Sequence, residues 1–187
     1  MAATVEVCIL AGGLSTRMGR AKARLRLGNR TLLGHVRKNA TGLELPVRVI
    51  RKDLVPRCGP LGGIYSGLKT TKAFAVLFLP CDTPFLSTAF LRRFIGKFDG
   101  NRALIAVSRG RPGFPIILPV GLLPVVKSQI EAGRFALHRL ARATAARSVR
   151  FPARELFNVN TPDDLAKARK QKVEQELTER TEKRLTK

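Results

Sequence analysis

Acidic residues are scarce in this chain. Only 13 Asp and Glu stand against 35 Lys and Arg, for a formal net charge of +22 at pH 7. Residues 171–187 hold five basic and four acidic residues, so the excess belongs to the body of the chain and not to a disordered basic arm. A field of this sign attracts polyanions: nucleotides, nucleic acid or an anionic membrane surface. Cysteine is also sparse. Cys8, Cys58 and Cys81 are odd in number, far apart and form no CxxC pair. That excludes a disulfide framework and predicts reduced thiols in a cytoplasmic protein. The two histidines, His35 and His138, lie on predicted helices without a partner at metal-ligand spacing, which argues against a zinc site. No apolar run approaches the roughly 20 residues of a membrane-spanning helix. No basic segment precedes the apolar run VEVCIL, so no signal peptide is expected. Aromatic residues make up 6% of the chain and are not interleaved with the basic ones, so stacking platforms for single-stranded bases are not evident.

What is present is an alternation of apolar strand-like runs with helical patterns. Strands are predicted at Val5–Leu10, Val47–Arg51, Phe74–Leu79, Ala103–Val107 and Ile116–Leu118, with short ones at Val149–Phe151 and Leu156–Val159. Helices are predicted at Thr31–Ala40, capped by Asn29 or Thr31, and near Leu61–Thr70, Ser87–Phe98, Leu122–Ala132 and Arg134–Ala145. Arg109–Pro115 reads as a turn-rich loop. FAVLFL, at Phe74–Leu79, is continuously apolar, as a parallel strand buried on both faces should be. Thr161 followed by Pro162, Asp163 and Asp164 predicts a capped helix running to about Lys170. The expected fold is α/β: a single three-layer, Rossmann-like domain over residues 1–170 with a mostly parallel sheet. Residues 171–187 are expected to form a charged helix extension or a frayed tail.

In such folds ligands bind at the carboxyl ends of the strands. Four motifs fall at or near that rim. Leu10–Lys22 (LAGGLSTRMGRAK) follows the first strand. Gly12 and Gly13 permit close backbone approach to phosphate oxygens, while Arg17 and Lys22 can neutralise a triphosphate and a departing pyrophosphate. The spacing matches neither GxGxxG nor the P-loop. In PCDTP (80–84), Asp82 sits at the mouth of the most apolar strand, well placed to hold Mg²⁺ against phosphate; the bland alternative is a turn or cap aspartate. GPLGG, containing Gly59 and Gly62, opens a helix whose N-terminus can face an anion. Asp53 ahead of it can accept hydrogen bonds from a guanine edge, and here a plain glycine-rich turn with a surface Asp is an equal alternative. In FNVNTP (157–162), alternation puts Asn158 and Asn160 on one face, a polar surface for a second substrate or ordinary turn chemistry.

Taken in this order, LAGGLSTRMGRAK, GPLGG, PCDTPF and FNVNTPDDL resemble the molybdenum cofactor guanylyltransferase family, within the nucleotide-diphospho-sugar-transferase-like fold. The resemblance spans Leu10 to Leu165. It implies transfer of GMP from GTP to molybdenum-molybdopterin with release of pyrophosphate, assisted by Mg²⁺, and molybdoenzyme-maturation proteins as partners. It implies that Leu10, Ala11, Gly12 and Gly13 form the nucleotide loop, with Arg17 and Lys22 as its basic residues. Asp53 then meets the guanine, Asp82 is the metal ligand, and Asn158 and Asn160 lie on the pterin side. Three positions depart from the family pattern. Ala21 stands where an Asp is common. Phe114 replaces a polar residue. Thr41–Ile50 is too short for two strands, so a sheet one strand smaller than usual is expected. The alternatives left by the sequence are cytidylyl transfer to the same pterin and a non-catalytic nucleotide-binding adaptor. An added nucleic-acid-binding role also stays open on charge alone.

Overall fold

A computed structural model describes residues 4–12, 22–153 and 155–185, with side chains to Glu174 at the C-terminal end. The elements in chain order are β1 (Val5–Leu10), a short hairpin of β2 (Arg26–Leu27) and β3 (Arg30–Thr31), α1 (Leu32–Thr41), β4 (Val47–Ile50), α2 (Pro60–Thr70), β5 (Ala75–Pro80), α3 (Thr88–Ile95), β6 (Leu104–Ser108), β7 (Arg111–Pro119), α4 (Leu123–Glu131), α5 (Leu137–Ala143), β8 (Arg147–Arg150) and α6 (Pro162–Leu185). Six strands form one sheet in the order β4-β1-β5-β7-β6-β8. β1 pairs in parallel with β4 and β5, and β6 with β8, while β7 runs antiparallel to both its neighbours. The sheet is therefore mostly parallel, with one reversed strand inside it. Residues 42–46 hold no strand, in keeping with the smaller sheet expected from that short stretch.

Period-two alternation along β5 makes the three layers. Leu77 and Leu79 point into a core with Val36, Phe90 and Phe94 of α1 and α3. Val76 and Phe78 point into a second core with Ile64, Val126 and Leu140 of α2, α4 and α5. All four are fully buried, which is why this strand reads as unbroken apolar sequence. A smaller cluster of Leu27, Leu32, Val159 and Ala168 fastens the β2–β3 hairpin to α6. Thr31 caps α1, accepting from Gly34 N at 3.0 Å. Among the described residues no helix is long and apolar enough to cross a membrane.

Several boundaries differ from those expected. Leu156–Val159 is not a strand; Val159 N donates to Asp82 O at 2.9 Å, outside the sheet, and Leu156, Phe157 and Val159 pack against the cores. Of the segment Arg109–Pro115, expected to be a loop, residues 111–115 are strand. Arg109 and Gly110, both at positive φ, make a two-residue turn, and β7 begins at Arg111. Pro112 and Pro115 argue against a strand. A register shift between Ile105 and Ala106 leaves Phe114 and Pro115 outside the paired positions, while Pro112 sits opposite Val107 where β7 has run past its pairing with β5. The helix predicted at Arg134–Ala145 is shorter, Leu137–Ala143, and the last helix continues past Lys170 to Leu185.

Candidate active site

Three neighbouring strand ends meet at one rim. Ala11 N donates to Ile50 O at 2.8 Å and Cys81 N to Leu10 O at 3.1 Å, so the ladder continues just past β1, β4 and β5. Leu10–Gly12, Arg51–Asp53 and Pro80–Asp82 are thereby brought side by side. They open onto a cavity of about 860 Å³, lined also by Lys22, Gly59, Pro60 and Phe114.

Asp82 is 15% exposed and faces Lys22, whose Nζ lies 3.4 Å from Oδ2. Burial pushes the Asp82 carboxyl above its ordinary range, and the Lys22 ammonium pulls it part of the way back. Its other oxygen, Oδ1, is buried and has no hydrogen-bond partner among the described residues. Such an atom is costly unless something meets it. A carboxylate with a spare oxygen on the wall of this cavity fits a hard cation that takes its remaining ligands from substrate oxygens and water. No group of three or more His, Cys, Asp or Glu could supply a full protein cage among the described residues.

Lys22 also donates to Asn160 Oδ1 at 2.5 Å. Asn160 is itself held by the start of α6. Asn160 N and Thr161 N both donate to Asp164 Oδ2, at 3.0 and 2.9 Å, and Asp164 N donates back to Thr161 Oγ1 at 3.1 Å. This is a capping box with Asp in the third position. Together with the bond from Val159 to Asp82, it fixes the segment before α6 against the end of β5. Val159 is fully buried and Asn158 is exposed, so of the two asparagines only Asn160 meets Lys22.

Asp53 packs against the first turn of α2. A Cβ on Gly62 would lie 2.8 Å from its Oδ2, and one on Gly63 3.5 Å from its Oδ1. The helix dipole favours a carboxylate there, while burial raises its pKa. Gly59 precedes the helix at φ +53°, a conformation that side-chain-bearing residues adopt at a cost. The loop is tied to the helix because Ser66 Oγ accepts from Leu54 N at 2.8 Å and donates to Gly62 O at 2.7 Å. Gly12 faces the same corner; a Cβ there would be 3.0 Å from Arg51 O.

Leu10, Ala11, Gly12, Lys22, Asp53, Gly59 and Asp82 thus surround one cavity, with Gly62 buried just behind Asp53. Gly13, Arg17 and Ala21 lie outside the described residues. Sequence reasoning passed over Arg51, Lys52 and Arg57, all exposed on the cavity wall. The available signal was their place directly after a strand and just ahead of GPLGG. Cys81 lines the cavity too, but burial and the neighbouring Asp82 push its thiol up to about 11, so it is no thiolate nucleophile at neutral pH.

A family model described as MobA-like NTP transferase domain matches residues 7–151. A molybdenum cofactor guanylyltransferase of Haemophilus influenzae is 30% identical over 190 residues, covering 89% of this chain and 98% of its own. The crystal structure of molybdopterin-guanine dinucleotide biosynthesis protein A from Archaeoglobus fulgidus has a TM-score of 0.67 at 22% identity, covering 90% of this chain and 99% of its own. A Mycobacterium tuberculosis protein solved in complex with manganese has a TM-score of 0.62 at 16% identity, covering 89% and 98%. The two structural likenesses bear on the fold alone.

Proposed function

Because the chain belongs to the MobA-like NTP transferase family, and is on that ground a nucleotidyltransferase, we propose that it transfers GMP from GTP to molybdenum-molybdopterin with Mg²⁺. The observation that carries the reading is the pairing of Asp82, one oxygen on Lys22 and the other buried without a partner, at the rim where α2 presents its N-terminus. The similarity to a molybdenum cofactor guanylyltransferase supports the choice of substrates.

In this reading the terminal phosphate oxygen of molybdopterin attacks the α-phosphorus of GTP. A new P–O bond forms as the α–β bridging P–O bond breaks, and the electron pair leaves with pyrophosphate. The attacking oxygen is already anionic, so no general base is required. The chain's task is alignment and charge neutralisation. Lys22 and Arg17 stabilise the charge that builds on pyrophosphate. Leu10–Gly13 cradles the triphosphate, with Gly59 and the start of α2 beside it. Asp53 accepts from the guanine edge, Gly62 leaves room for it, and Asn158 and Asn160 border the pterin side. Asp82 would hold Mg²⁺, which when bound neutralises α-phosphate oxygens.

Purified protein, Mg²⁺ and molybdenum-molybdopterin, supplied in turn with the four nucleoside triphosphates, tests the proposal. Pyrophosphate should be released with GTP and be lost in Asp82→Ala. Turnover with CTP alone would move the assignment to cytidylyl transfer, and nucleotide binding without turnover would make the protein an adaptor.

A further inference from the structure

A second hollow, of about 1090 Å³, lies toward the β8 edge of the sheet between the β6–β7 turn, α5 and β8, and shares no lining residue with the catalytic cavity. Its cations are Arg111 and Arg142, both exposed, with His138 also in its lining. Ser148 lines it from β8, and alternation along the strand turns Arg150 to the same face. Arg109 stands in the adjoining turn. Arg147 faces the other way and donates to Lys97 O.

Among the described residues no salt bridge engages Arg109, Arg111, Arg142 or Arg150. Residues 132–154 contain six Arg, one His and no Asp or Glu. The flanking acids are engaged elsewhere: Glu131 with Lys127 and Glu155 with Arg93, each at 3.4 Å. Every strong cation in this stretch is Arg, none Lys, and the guanidinium fork matches phosphate oxygens in a way an ammonium does not. A triphosphate site already exists at the catalytic rim, so this second concentration of charge calls for another anion.

The chemistry of the walls narrows the class. The remaining lining is Gly110, Pro112, Leu137, Ala141, Ala145 and Ala146, in which the half-buried Leu137 is the one large apolar side chain. The exposed large apolar side chains among the described residues, Leu54, Phe74 and Val173, all lie elsewhere. With one half-buried leucine and no Phe, Tyr or Trp, the face lacks the cluster of anchors that gives protein–protein interfaces most of their energy. With His138 as the single ring in its lining, it also lacks a run of stacking platforms for unpaired bases. A guanidinium surface with neither suits the phosphate backbone of a duplex, which asks only for charge. We propose that the β6–β7 turn, α5 and β8 form a docking face for duplex nucleic acid, bound through its backbone and independently of sequence. This inference does not depend on the identity of the transferred nucleotide.

The test is fluorescence anisotropy with a duplex DNA and a duplex RNA of one sequence, titrated with salt. Engagement of Arg109, Arg111, Arg142 and Arg150 predicts a slope of log K against log salt of about −3.6, or roughly a 150-fold loss of affinity between about 50 and 200 mM salt. Changing all four to Gln should flatten the slope by about one per arginine, with the Tm and pyrophosphate release unchanged. The DNA and RNA arms tell which duplex is preferred. A control variant changes the exposed Arg37, Lys38, Lys69 and Lys72 to Gln, removing the same charge away from this face. Equal losses in both variants would reduce the effect to diffuse net charge and overturn the proposal. So would tighter binding of single strands or of polyglutamate at this face, the latter pointing to an acidic protein partner.

Discussion

Replacing Gly62 with Ala sets two effects of opposite sign against each other. Alanine gains about 0.5–1 kcal/mol over glycine within a helix. At Gly62, however, the new Cβ would lie 2.7 Å from Val55 O and 2.8 Å from Asp53 Oδ2. The Asp53 carboxylate can swing aside, but the Val55 carbonyl cannot yield cheaply. Val55 O is backbone, and the loop carrying both is held to α2 through Ser66 Oγ, which bonds Leu54 N and Gly62 O. Overpacking of this kind costs about 1–3 kcal/mol, so the clash should outweigh the helix gain and leave a net loss of about 1–2 kcal/mol. For a chain of this size that is a fall in Tm of roughly 2–8 °C. Asp53 should be pushed from its seat as well, so KM for GTP should rise more than kcat falls. Adding Asp53→Ala removes one of the two contacts and should recover part of the Tm, but not the KM. Thermal unfolding by circular dichroism and steady-state pyrophosphate release read both outcomes. A Tm that rises by the helix gain, with KM unchanged, would refute the claim that close packing against α2 positions Asp53.

Three further outcomes follow from the same geometry. Burial raises the native pKa of Asp82 above its unfolded value, so the native state holds the proton more tightly and this group's contribution to stability, fully present below the unfolded pKa, is lost as pH rises through the native pKa. Asp82→Asn should therefore lose activity yet hold or raise the Tm at pH 7, an advantage that shrinks on acidification; a Tm that drops at pH 7 and recovers at no pH would contradict this. Lys22→Met should lower kcat by about 10²-fold, and Asn160→Ala, which frees Lys22 without removing it, by about tenfold; equal losses would show that Asn160 does more than orient the lysine. Thr31→Ala removes the cap of α1, at a residue that does not line the cavity, and should cost about 1 kcal/mol in urea unfolding while leaving kinetics unchanged.

How much of this was legible in the sequence depends on which forces are local. In the run 74–79, residues 75–79 announced their burial because both faces of β5 are covered, whereas Phe74 stays exposed just ahead of the strand; the ends of β1 and β5 brought Gly12 and Asp82 to one rim as strand order required. The start and orientation of β7 were not legible, since Pro112 and Pro115 speak against a strand and the offset in pairing with β6 that takes up Pro115 has no local signature. Leu156–Val159 alternates like a strand, yet the alternation serves to bury Val159 and turn Asn160 toward Lys22 while the backbone pairs with Asp82 alone. The bond between Lys22 and Asn160 joins residues 138 positions apart, and no local pattern encodes it.

The bonds from Val159 to Asp82 and from Asn160 to Lys22 have a consequence for the order in which the chain becomes competent. The matched domain ends at residue 151, but the groups that steady Lys22 and Asp82 arrive with residues 159–164. During synthesis from the N-terminus, the sheet through β8 is complete before the charged rim is. Contacts of such long sequence separation are the slowest to close. The core and its finishing clasp are thus made at different times, and the last turns of chain decide when the cavity gains its set lysine.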